Sequence, residues 1–188
     1  MKKVSALFLL LSLVILIVSY SLWHIKINEI TPKESLVSKD IDMPKFSDYD
    51  SNNRGSTPQK PALVDFNSND RARTYKTVLT AAESNGPNFA GHYTIATWGC
   101  GTECQSIAVI DSLDGRVYDG VGSQVGMDYN INSKLLVVNP PYNIYELYNN
   151  DSKKWNPSLT TRFYVWENNN FKLIKEAKIN FNVESLDN

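Results

Sequence analysis

The chain has 188 residues, 19 basic against 20 acidic side chains, a formal charge of -1 and 42% hydrophobic residues. That is apolar material for one modest domain plus short extras, and too much for a wholly disordered chain. The balanced charge leaves no electrostatic footprint for a phosphate backbone, so no nucleic acid is expected as a partner.

Met1-Lys2-Lys3 precedes an uncharged run from Val4 to Trp23, broken only by Ser5, Ser12, Ser19, Tyr20 and Ser21. As a helix rising ~1.5 Å per residue it reaches about 30 Å, the thickness of a bilayer's hydrocarbon core. The two lysines hold its N-terminus in the cytoplasm, so residues 4–23 are expected to anchor the chain in an inner membrane with the remainder in the periplasm. The alternative is a signal peptide cleaved at the small-x-small site Ser19-Tyr20-Ser21, which releases the rest to the periplasm. No cysteine lies near the end of the apolar run, both being far downstream, which excludes a lipid-modified cysteine anchor.

Residues 1–23 are thus read as signal anchor or signal peptide, 24–43 as a tether and 44–188 as a single extracytoplasmic domain. The tether's character, with Pro32, Pro44, Pro58 and the polar run Asp48 to Ser56, extends to about Lys60. Its last part is expected to pack on the domain, because Phe46, Tyr49, Leu63, Val64 and Phe66 are costly to leave in water. Asp48, Asp50 and Asn52 have the spacing of the first calcium-loop ligands, but Asn53 stands where the turn glycine belongs and Gln59 replaces the bidentate glutamate.

Ala72, Tyr75, Val78, Leu79 and Ala82 recur at three- and four-residue spacing and predict one amphipathic helix. Asn67, Ser68 and Asn69 are its candidate N-caps, and Asn85-Gly86-Pro87 stops it. Beyond Pro87, short β-branched and aromatic runs predict strands at 91–98, 105–111, 116–121, 127–131, 134–139, 161–167 and 171–177. Asp114-Gly115, Asn132-Ser133 and Asn168-Asn169-Asn170 supply the turns. The expected fold is α+β, one amphipathic helix on an antiparallel meander, with Pro140-Pro141 opening an irregular excursion over 142–160. Its aromatic residues Tyr142, Tyr145, Tyr148 and Trp155 read as a lid over the core, with an exposed recognition surface as the alternative.

The stretch from Gly91 to Gln105 carries the most information. Strand alternation puts Tyr93, Ile95 and Thr97 on one face and His92, Thr94, Ala96 and Trp98 on the other. In an oxidising compartment Cys100 and Cys104 are expected to form a disulfide that holds Gly101-Thr102-Glu103 rigid at a hairpin tip. His92, Trp98, Thr102 and Glu103 are the candidate binding residues. The rival reading makes Cys100 or Cys104 a nucleophile, with His92 as base and the Gly101 and Thr102 amides as oxyanion donors. Against it, His92 lies eight residues from Cys100, roughly 26 Å along an extended strand. A redox pair is disfavoured by three intervening residues and no following helix. A zinc site needs four ligands, and beyond Cys100, Cys104 and His92 the chain offers only His24, distant at the membrane end. Asp111, Asp114, Asp119 and Asp128 sit at expected strand ends and turns, an ordinary place for acids rather than a glycosidase pair. No metal, cofactor or catalytic residue is assigned.

Gly86-Pro87-Asn88-Phe89-Ala90-Gly91-His92-Tyr93, Trp98-Gly99-Cys100-Gly101 with Cys104, Ile110-Asp111 and Gly115-Arg116-Val117-Tyr118 together resemble a family of uncharacterised exported bacterial proteins. The resemblance runs from about Phe46 to Leu173 and includes Leu135 to Pro141 and Arg162 to Trp166. It implies an envelope location and this domain layout, carries no activity, and implies a small residue in many relatives at the position of Glu103. The functional expectation is a non-enzymatic binding domain of the cell envelope that presents the Cys100–Cys104 loop to an envelope protein or glycan. The alternative is a small envelope hydrolase or transferase with a cysteine nucleophile.

Overall fold

The computed structural model describes residues 42–52, 58, 60–150 and 158–179. All of them belong to the second of two compact units, Val37–Asn188. The apolar run 4–23, most of the tether and Trp155 lie outside the described residues; within these, no helix is long and apolar enough to cross a membrane.

The fold is α+β, with two antiparallel sheets and three helices. Asn69 caps the first helix, α1 (Asp70–Thr74), its Oδ1 accepting the Ala72 amide at 2.9 Å. The expected single helix breaks at Tyr75 (φ -107, ψ 32) and resumes as α2 (Lys76–Ser84). The break turns the Tyr75 ring onto Trp98, with centroids 4.3 Å apart. Gly86, at φ +82, ends the helical run with its amide on the Glu83 carbonyl.

Strands β1 (Tyr93–Gly101), β2 (Cys104–Asp111) and β3 (Val117–Ser123) form one sheet in sequence order. Strands β4 (Met127–Asp128), β5 (Leu135–Val138), β6 (Thr160–Glu167) and β7 (Asn170–Lys178) form the other, also in sequence order. The expected single meander is therefore two, parted between Ser123 and Met127. Asn139 makes the parting: buried and at φ +53, it accepts the Gln124 and Val125 amides on Oδ1 and donates to the Thr160 carbonyl. Residues 142–160 are not wholly irregular either. Pro141 opens helix α3 (Pro141–Asn150), a position where a proline's fixed φ and missing N–H cost nothing.

Three apolar clusters order the layers. Ile95, Ile107 and Val109 of the first sheet meet Leu136, Val138, Tyr164, Trp166 and Phe171 of the second in the central core. On the outer face of the first sheet, Ala96, Ala108, Ile110 and Val117 pack on Ala72 and Leu79 of the helices. On the outer face of the second, Leu135, Val137, Phe163 and Val165 meet Ile144 of α3, with Phe46 and Tyr49 against them. Val64 and Phe66 also pack on the helical side, but Leu63 is 90% exposed. Its carbonyl instead lies over Gly115, where an added Cβ would come within 2.0 Å of it.

Candidate functional site

The β1–β2 hairpin runs in register from Tyr93↔Asp111 to Gly99↔Gln105, then shifts so that Gly101 faces Cys104. Cys100 and Cys104 are joined by a disulfide with Cα atoms 5.1 Å apart, and neither sulfur is a free thiol. The Ser106 hydroxyl donates to Cys100 Sγ at 3.3 Å. Five-residue closure demands left-handed backbone at two points, Gly101 at φ +134 and Glu103 at φ +54. Glycine adopts that conformation freely; glutamate does so at a cost.

Gly101, Thr102 and Glu103 are exposed, and so is Thr97 at the mouth of the hairpin. The Trp98 ring, on the opposite strand face from Thr97, is held by its stack on Tyr75. The hairpin end thus projects beyond the two-sheet core, closed by a covalent bond and braced by one aromatic pair.

His92 stands at the other end of β1. Its Nε2 lies 3.5 Å from Asp111 Oδ1 and its ring lies on Tyr93, with centroids 4.2 Å apart. These contacts hold His92 at the start of the strand, against Tyr93 and Asp111. Seven consecutive strand residues, Tyr93 to Gly99, separate His92 from Cys100. The candidate residues therefore divide: Trp98, Thr102 and Glu103 sit at the disulfide end and His92 at the base.

At the base lies a cleft of about 410 Å3 lined by His92, Tyr93, Lys134, Trp166, Asn168 and Asn169. Tyr93 donates from its hydroxyl to Asn169 Oδ1 at 3.1 Å, and burial raises its phenol pKa. Behind the strand, Glu83 of α2 is 4% exposed, and neither carboxylate oxygen makes a hydrogen bond of good geometry. Burial raises its pKa; the nearby hydroxyls of Ser112 and Thr94, bonded to each other at 3.0 Å, counter this in part, and Asp111 adds to it. Sequence reasoning assigned no role to Glu83, Ser112 or Trp166. It could have found the His92–Asp111 contact, because a hairpin symmetric about the two cysteines sets Tyr93 opposite Asp111.

Two of the other carboxylates singled out in the sequence serve turns. Asp48 accepts the Lys45 amide and Asp114 the Arg116 amide, while Asp119 pairs with Arg71 at 3.2 Å. Among the described residues no three His, Cys, Asp or Glu side chains gather closely enough to hold a metal ion. Comparison with protein families, with curated proteins and with solved structures finds no match.

Proposed function

We propose that the chain is a non-enzymatic recognition domain of the bacterial cell envelope, held at the inner membrane through residues 4–23, that presents the Cys100–Cys104 loop to a partner protein. The observation that carries this reading is the hairpin tip: exposed, disulfide-closed and braced by Trp98 on Tyr75. A loop ordered before binding loses little conformational entropy when it binds, which is how rigid loops on β scaffolds gain affinity. Thr102 and Glu103 offer a hydroxyl and a carboxylate at the apex. The sulfurs' bond to each other counts against the cysteine-nucleophile alternative, as does the strand between them and His92.

The test is the double substitution Thr102→Ala with Glu103→Ala in the full chain, with envelope proteins cross-linked and captured before and after the change. Loss of a specific partner from the variant is expected. Capture of the same partners in the same yield would sink the assignment of the loop as the interface.

A further inference from the structure

The backbone of β1 is protected along part of its outer edge and then left open. In an antiparallel ladder the residues of one strand alternate between bonding the neighbour and pointing away from it. The His92 carbonyl accepts from the Ser112 amide. By alternation Thr94, Ala96 and Trp98 also bond β2, while Tyr93, Ile95, Thr97 and Gly99 present N–H and C=O outward. β1 ends the sheet on that side.

The first two outward residues are covered. Tyr93 exchanges backbone bonds with the preceding segment, its carbonyl accepting from Asn88 and Phe89 at 3.0 and 2.9 Å and its amide donating to Phe89. Ile95 is covered by a side chain acting as a strand, since Asn88 Oδ1 accepts the Ile95 amide at 2.8 Å and Asn88 Nδ2 donates to its carbonyl at 3.2 Å. The next two are not: among the described residues Thr97 and Gly99 have no backbone partner on that edge, and both are exposed. No proline, lysine or bulge blocks the edge between them; the register shifts only after Gly99. Folds ordinarily blunt a bare strand edge, since it pairs readily with another chain.

We infer that the outer edge of β1 at Thr97 and Gly99 binds an extended segment of a partner protein by strand addition. The inference rests on the recognition reading above and names how the partner is held. Two residues of the segment would exchange backbone bonds with Thr97 and Gly99. The residue between them would lie opposite Trp98, on the face where Trp98 stacks on Tyr75, and there an apolar side chain is favoured. A second copy of this chain is the weaker occupant. An edge with two open residues buries far less than the roughly 800 Å2 per partner of a stable interface.

The probe is a displayed library of linear peptides of about twelve residues, selected on the full chain in detergent, with the best binder then synthesised. Selected sequences are expected to share an apolar residue flanked by extended-chain formers. Thr97→Pro removes one outward N–H and leaves the β1–β2 ladder its bonds, and it should weaken binding more than about tenfold. Because that variant could misfold, the wild-type protein is also tested with the peptide N-methylated on either side of the apolar residue, which should weaken binding as much. Unchanged affinity for the methylated peptide, or no enrichment of any peptide, overturns the inference. So does a concentration-dependent dimer that Thr97→Pro abolishes, since the occupant is then a second copy. If Thr102→Ala with Glu103→Ala leaves peptide affinity unchanged while methylation destroys it, the edge stands and the loop assignment fails; the reverse pattern spares the loop and removes the edge.

Discussion

Glu83 is the residue least at ease in the fold. A carboxylate 4% exposed, with no hydrogen bond of good geometry on either oxygen, is disfavoured in its charged form, so its folded pKa lies above its unfolded value. The sign of the linkage follows. The folded state holds the proton more tightly, so Glu83's contribution is fully present below the unfolded pKa and is lost as pH rises through the folded one. Glu83→Gln keeps the shape and removes the charge. It is expected to raise the urea midpoint at pH 8, by about 1 kcal/mol of stability, and to change it less at pH 4. Equal effects at both pH values would mean that the carboxylate is neutral, or solvated, throughout. Asp111 lies close enough to add to the shift, and it also faces His92 on the other side. Glu83 therefore couples the helical layer to the base of β1.

At the scale of elements, the β1–β2 hairpin and its neighbour β3 are shaped by two local devices. The first is the disulfide. It closes so short a loop that its restriction of the unfolded chain amounts to about 2 kcal/mol on the loop-entropy model. Reduction is expected to lower the melting temperature by no more than that stability corresponds to, with the far-UV spectrum retained. A collapse of the whole spectrum on reduction would show that the bond holds more than the tip. The second device is Gly120. The β2–β3 register shifts between Ser106 and Ala108, and the intervening Ile107 is thrust against Gly120. A Cβ on Gly120 would come 2.3 Å from Ile107 Cγ1 and 2.5 Å from its carbonyl oxygen. Backbone cannot retreat as a side-chain tip can, so Gly120→Ala should cost about 2 kcal/mol or more, read as a lowered denaturation midpoint with unchanged slope. Gly122→Ala, whose nearest contact is the Gln105 carbonyl at 3.4 Å, should cost clearly less.

For the whole molecule, the strands and the α+β class were legible because β-branched and aromatic runs bounded by Gly, Asn and Asp carry their own signal. The layering was less so, although Ile107 to Ile110 and Leu135 to Val138 are apolar without alternation, the mark of strands buried on both faces. A single covering helix cannot bury two faces of seven strands, and the fold supplies α3 and the Phe46–Tyr49 turn on the far side. The helix at Pro141 was hidden by its aromatic and polar composition. The split at Asn139 was hidden because a buried polar knot is a tertiary fact with no local pattern. At the site, the disulfide tip was legible from spacing, while the open edge of β1 depends on Asn88, a residue whose role appears only once the strands are paired. The layering also dictates how the domain comes apart. Trp166 touches rings from both sheets: Tyr93 and Tyr118 on one side and Phe171 on the other, with Phe89 beside them. Each sheet buries its inner face only against the other, and each helical layer rests on an outer face, so no layer keeps its core once the sheets part. Urea unfolding of the full chain in detergent is expected to show coincident midpoints by tryptophan fluorescence and by far-UV circular dichroism. Trp166→Phe should shift both midpoints together, by about 1–3 kcal/mol, since it removes ring volume from the shared core. An early, separate loss of helical signal with fluorescence unmoved would show instead that α1 and α2 unfold independently of the sheets.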